Sequence, residues 1–236
     1  MLNVLYEDQA IIVVKKPVGV ESQSSRGFGA DMVSEIKRHI HNLSPKAGEP
    51  YLGVIHRLDK PVSGVMVYAK TKSAAAALSK QVADGKMKKK YFAVVCGKPV
   101  DKVDNFVDYL LKDGKTNTSR IVDKWTDGGK PAELRFRELE SRIVEPYGEL
   151  SLLEVELLTG RHHQIRVQMA GHGLPLWGDN KYNPAFGRQA GRGPEHVALS
   201  SCELTFFHPV TGRSMTFSKK PEGKIFQNFQ SCADWQ

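Results

Sequence analysis

Short apolar runs rich in β-branched residues dominate the chain, and a few longer stretches carry helical spacing. Leu2 to Tyr6 are largely apolar, Glu7, Asp8 and Gln9 break the run, and Ile11 to Val14 resume it. This pattern predicts a strand, a turn and a second strand. Lys16, Pro17, Val18 and Gly19 end the second run, and Ser22 to Gly29 read as a loop rich in Ser and Gly. Asp31 is suited to cap a helix that places Val33, Ile36 and Ile40 at helical spacing. Gly64 to Ala69 (GVMVYA) read as a buried strand, and the run from Ser73 as a helix that Gly85 stops. Lys90 to Cys96 (KYFAVVC) predict another strand.

Residues 98 to 130 are polar, with Gly and Asp breakers, and read as an inserted hairpin region. Leu134 to Leu139 and Leu150 to Leu158 are two further strands. In Gln164 to Ala170 the alternation of Ile165, Val167 and Met169 suggests a strand, while the content also permits a short helix ended by Gly171. Periodicity leaves both open in so short a run. A loop from Asn183 to Pro194 precedes late strands at Leu204 to Phe207 and Met215 to Phe217. Strands outnumber helices and come in runs, which argues for an α+β fold with a mostly antiparallel sheet. The 236 residues fit one large domain or two small ones and hold no internal repeat or low-complexity block, and the expectation carried forward is one domain over residues 1–236.

Charge narrows the class of partner. Thirty-four Lys and Arg against 26 acids give a net charge of +8. A basic surface concentrates polyanions, nucleic acid first among them, and such binding weakens with salt. Cys96, Cys202 and Cys232 lie far apart and form no disulfide framework, which suits a reducing compartment. Early acids disfavour a secretory signal, and no apolar run approaches the ~20 residues of a spanning helix. The expectation is a cytoplasmic monomer. Lys86 to Lys90 (KMKKK) form the one dense charge run, readable as a solvated strand end or as a phosphate contact.

Two constellations carry chemistry. His56, Arg57, Leu58, Asp59 and Lys60 put a base, cations and a carboxylate after an apolar pair, Val54 and Ile55. An Asp flanked by cations stays ionised and can act as nucleophile or base. The plainer reading is a surface ion cluster in a turn. The second is Gly160, Arg161, His162, His163, Gln164, Ile165 and Arg166. Arg166 can pair with a buried Asp, and Gln164 can hydrogen-bond a base edge or the backbone. Zinc is disfavoured there, because adjacent side chains such as His162 and His163 diverge in a strand or a helix and no Cys is near.

At these residues the chain resembles the RluA-type pseudouridine synthases. HRLD at 56–59, followed by SGVMVYAK at 63–70, is similar to the family's central motif. KPVG at 16–19, KKYFAVVCG at 89–97, LLTGRHHQIR at 157–166, the GD-x-x-Y of Gly178, Asp179 and Tyr182, and the late His208 and Pro209 match further family blocks, in order. The resemblance implies the pseudouridine-synthase fold, a long curved mixed sheet with flanking helices and an active-site cleft. It implies base flipping in rRNA or tRNA, with neither metal nor organic cofactor. Asp59 takes the place of the catalytic carboxylate, and Arg57 that of the arginine filling the gap left by a flipped uridine. Tyr91 takes the place of the stacking aromatic, and Arg166 that of the arginine pairing with the catalytic Asp. His56, Arg161, Gln164 and Ile165 are the other expected substrate-binding residues, and Lys86, Lys88, Lys89, Arg188 and Arg192 the expected phosphate contacts.

Plainer roles remain for Tyr91 as a core aromatic on a strand and for Arg166 as a structural ion pair. Many relatives carry an N-terminal S4 domain, whereas this chain opens almost at once on catalytic-domain strands, so a stand-alone catalytic domain is expected. Leu199, Ser200 and Ser201 stand where many relatives have Leu-His-Ala. Two rival functions are a catalytically inactive RNA-binding assembly factor and a nucleic-acid hydrolase using Asp59 and His56, the latter usually needing a metal or a paired acid.

Overall fold

The structure is a computed structural model, described at residues 2–24, 31–45, 48–187 and 196–235. The chain divides into two compact units, one of residues 1–88 and 201–219, the other of residues 89–200 and 220–236.

In the first unit the strand order is β1 (Asn3–Glu7), β2 (Ile11–Lys16), β4 (Ser63–Ala69) and β10 (Leu199–Phe207). The two-residue β3 (Gly53–Val54) adds to β4, and β11 (Ser214–Ser218) to β10. Strand β2 pairs antiparallel with β1 and β4, and β10 with β11. All seven residues of β4 are buried, so both of its faces are covered and its sequence shows a continuous apolar run rather than alternation. On one face Ile11, Val13, Val65 and Val67 pack with Leu204, Phe206, Ala74 and Leu78. Burial of each large apolar side chain contributes about 1.5–3 kcal/mol.

Helix α1 (Met32–Leu43) starts where Asp31 accepts a hydrogen bond from the Ser34 N–H at 2.9 Å, the cap its sequence predicts. Helix α2 (Lys72–Ala83) starts one residue before the expected Ser73, because the Thr71 hydroxyl accepts from the Ala74 N–H at 3.2 Å.

In the second unit the order is β5 (Lys88–Cys96), β9 (Gly148–Leu157), β8 (Lys130–Val144), β6 (Val103–Asp113) and β7 (Thr118–Val122), with every neighbouring pair antiparallel. The polar segment after residue 98 is the β6–β7 hairpin, as its breakers predict. Strand β8 runs 15 residues, far beyond the six residues, Leu134 to Leu139, that the sequence pattern predicts.

The ambiguous run after residue 163 is helix α3 (Gln164–Gly171). Its first six residues are all buried, polar and apolar alike, so no apolar stripe exists for periodicity to detect. Gln168 explains how a polar residue is accommodated there. Its amide donates to the Asp108 carboxylate at 2.7 Å and to the Phe106 carbonyl at 3.2 Å. A Cβ on Gly171 would lie 2.4 Å from Cδ1 of Ile121, so glycine permits the close approach of α3 to β7. Short helices α4 (Pro184–Gly187) and α5 (Gln230–Ala233) and a 3-10 turn at Lys224–Asn228 complete this unit. The late turn and α5 lie outside what the sequence pattern predicts.

Candidate active site

The HRLD residues form the connection between β3 and β4. Leu58 is buried and Arg57 exposed, with Asp59 between the two in exposure. The Leu58 peptide is held at both its polar groups by Ser22. The Ser22 hydroxyl accepts from the Leu58 N–H at 2.9 Å and donates to the Leu58 carbonyl at 2.8 Å. The phenol of Tyr68 donates in turn to the Ser22 carbonyl at 3.1 Å. Beyond Asp59 the chain turns, and the Val62 N–H donates to the Asp59 carbonyl at 3.0 Å. His56 Nε2 accepts from the Val67 N–H at 3.3 Å, which assigns the ring proton to Nδ1.

Gly64 closes this loop onto β10. It has φ +134°, and a Cβ there would lie 2.3 Å from the Ser201 carbonyl oxygen. Both the backbone conformation and the packing exclude a side chain.

Lys16, in the KPVG block, is fully buried. Its ammonium donates to the carbonyls of Val20 at 2.6 Å, Pro17 at 3.1 Å and Lys60 at 3.4 Å. The Gly19 N–H adds a 2.9 Å bond to the same Lys60 carbonyl. The KPVG turn is thereby tied to the residue that follows Asp59. Burial pulls the Lys16 ammonium down to about 8, against the Asp59 charge, which favours the protonated form.

In the second unit, β9 leads into the TGR turn. The Thr159 hydroxyl accepts from the Glu133 N–H at 2.9 Å and donates to Gln164 Oε1 at 2.7 Å. That same Gln164 oxygen accepts from the Arg161 N–H at 2.9 Å, and the Gln164 amide donates to the Glu133 carbonyl at 3.0 Å. Of the two roles open to Gln164, the structure shows the backbone one. Arg161 is partly exposed and donates from Nε to the Pro131 carbonyl at 2.8 Å, while Ile165 is buried.

His163 has φ +54°, which is left-handed and belongs to neither strand nor helix. The rings of His162 and His163 therefore stack, with centroids 3.7 Å apart, instead of diverging as expected. They are held by hydrogen bonds. His162 Nδ1 lies 2.9 Å from the Ser119 hydroxyl, and His163 Nδ1 lies 2.7 Å from the Tyr182 hydroxyl. Among the described residues, no group of three or more His, Cys, Asp or Glu is placed to hold a metal ion.

Arg166, only 2% exposed, forms a two-pronged ion pair with the fully buried Asp179. Nε meets Oδ2 at 2.7 Å and Nη2 meets Oδ1 at 2.8 Å. The guanidinium also lies 5.2 Å from the centre of the Tyr182 ring. Asp179 belongs to the GD-x-x-Y block, and the resemblance attaches no role to it. The GD-x-x-Y spacing is the signal that could have pointed to it.

Tyr91 sits on β5 opposite Val155 and is 5% exposed. The expected phosphate contacts divide. Lys86 and Lys88 are exposed, with Lys86 3.9 Å from Asp84. Lys89 is buried, which corrects its reading as a surface phosphate contact. Strand alternation turns every second residue inward here, and burial lowers the pKa of Lys89. Arg188 and Arg192 lie outside the described residues.

Comparison with known proteins places these blocks in context. The family described as RNA pseudouridylate synthase matches residues 10–171. Ribosomal large subunit pseudouridine synthase D of Zymomonas mobilis is 32% identical over 92% of this chain and 68% of its own length. Ribosomal large subunit pseudouridine synthase C of Escherichia coli is 36% identical over 90% of this chain and 64% of its own length. The chain thus spans about two thirds of the curated relatives it matches. A solved structure, human RNA pseudouridylate synthase domain containing 1, superposes with TM-score 0.74 over 98% of this chain and 87% of its own, at 20% identity, which is likeness of fold. Fold, ordered motifs and matched length agree, and the chain belongs to the RNA pseudouridylate synthase family.

Proposed function

We propose that the chain isomerises uridine to pseudouridine in RNA, with Asp59 as the catalytic carboxylate and large-subunit ribosomal RNA as the substrate. The names of the relatives from Zymomonas mobilis and Escherichia coli support the choice of RNA. The reaction breaks the N1–C1′ bond and makes a C5–C1′ bond. C5 gives up its hydrogen as a proton, and N1 ends protonated. The observation that carries this reading is the setting of Asp59. Ser22 fixes the residue before it and Lys16 the residue after it, while its own side chain stays partly open. A carboxylate on so restrained a loop meets a substrate without first losing backbone freedom.

Extruding a base from its stack costs a few kcal/mol, which a group filling the vacancy offsets. Arg57, exposed on the connection between β3 and β4, is the residue for that role, and Tyr91 is the aromatic on which the pyrimidine stacks. Arg166 takes the role of arginine partner to the catalytic carboxylate. Lys86 and Lys88 supply exposed charge for the phosphate backbone.

Release of tritium from RNA carrying 5-tritiated uridine tests the proposal. The wild-type chain is expected to release it, and Asp59→Ala to release none while keeping its melting temperature and its affinity for RNA. Undiminished release by the variant would end the assignment.

A further inference from the structure

A buried guanidinium has five N–H donors and no acceptor. Asp179 takes two of those of Arg166 in a parallel fork. The fork is itself fixed. Asp179 Oδ1 also accepts from the N–H groups of Lys181 at 2.9 Å and Tyr182 at 3.2 Å, so the carboxylate cannot swing. The Tyr182 ring lies against the guanidinium, and its hydroxyl accepts from the Ser119 N–H at 2.8 Å and meets His163 Nδ1 at 2.7 Å. Arg166 is therefore oriented by a carboxylate, an aromatic face and two backbone amides behind that carboxylate.

Such an arrangement is a poor way to gain stability alone. Removing two charges from water costs several kcal/mol per ion, and well-packed apolar residues often do as well. The first six residues of helix α3 are buried, an interior that apolar residues in place of both members of the pair would fill. What an apolar residue would not do is present a cation held at a fixed angle by its carboxylate.

We propose that Asp179 is a positioning residue. It acts through Arg166, setting the angle at which the guanidinium meets an anionic partner, and Tyr182 and Ser119 brace it. This rests on the role of Arg166 as partner of the catalytic carboxylate.

The test is a double-substitution cycle in the full chain, read by tritium release. Asp179→Asn keeps shape and removes charge. It is expected to lower kcat by about tenfold or more with KM for RNA within about threefold, as for an interaction used in the transition state. In an Arg166→Lys background the same substitution is expected to cost less than about threefold more, because the two act as one unit. Should Asp179→Asn lower the melting temperature so far that the chain is unfolded, Asp179→Glu, which keeps the charge but moves it, takes its place in the cycle. A kcat at the wild-type level, or fully additive losses, would overturn the proposal. A second readout needs no activity. The Arg166 Nε–H resonance, assigned by its loss in Arg166→Lys, should exchange slowly with solvent in the wild type and fast in a folded Asp179 variant. Fast exchange in the wild type also overturns the proposal. A wild-type chain that releases no tritium, yet shows the protected resonance, would instead remove the synthase reading and leave the anchoring of Arg166 standing.

Discussion

The hydroxyl of Ser22 satisfies both backbone polar groups of Leu58, accepting from its N–H at 2.9 Å and donating to its carbonyl at 2.8 Å. The two residues are 36 positions apart, and the bonds are buried. One side chain thus sets the backbone immediately before Asp59.

Ser22→Ala leaves those two groups buried without that partner. The expected loss of stability is about 1–3 kcal/mol, the cost of unsatisfied buried polar groups, read as a shift in urea midpoint. Tritium release should fall further than Tm alone predicts, because the loop loses its anchor. An unchanged midpoint would show that water replaces the hydroxyl without cost.

Gly64→Ala meets two obstacles. The backbone at φ +134° disfavours any side chain, and the nearest atoms to a new Cβ are main-chain atoms of Ser201, at 2.3 and 2.5 Å, which cannot rotate away. The expected cost is about 3 kcal/mol or more, combining strain and overpacking. Gly85→Ala serves as the comparison, because it shares a positive φ and has open space around its Cβ. Equal losses in the two variants would show that backbone conformation alone, not the Ser201 contact, decides.

Asp8 predicts acid sensitivity. Burial works to raise its carboxyl, but bonds from the N–H groups of Ile11 and Ala10 and from Tyr6 and His208 outweigh it and hold the value below the usual carboxylate range. A depressed folded value adds stability that is present above the unfolded value and lost as pH falls through the folded one. Asp8→Asn should therefore cost stability at neutral pH and little at low pH. Thermal melts from pH 7 downward check this, and a constant gap between variant and wild type would refute it.

Lys16 predicts the opposite edge. Its folded value of about 8 lies below the ordinary 10.5, so the folded chain holds fewer protons than the unfolded one between them. Stability from this group then rises with pH across that window. Lys16→Met should remove that rise from the urea midpoints. It should also lower kcat below pH 8, where the ammonium ties the KPVG turn to Lys60.

Much of this protein is legible from residues close in sequence. Asp31 as a cap, the β-branched runs of β2 and β4, and the breakers around the β6–β7 hairpin act over a few positions, where propensity and capping are decided. Motifs in order also identified the family, because each block keeps its chemistry on a contiguous stretch. The tertiary structure decided what depends on distant partners. It made residues 164–171 a helix, since enclosure on every side erases the stripe that a sequence pattern needs. It turned Lys89 inward and stacked His162 on His163 through a left-handed backbone. It also gave Arg166 the Asp179 carboxylate and Leu58 the Ser22 hydroxyl, 13 and 36 positions away. Local sequence fixes which groups a chain carries and how each short segment bends. Which groups lose their water, and which partner then replaces it, is settled only when the segments pack.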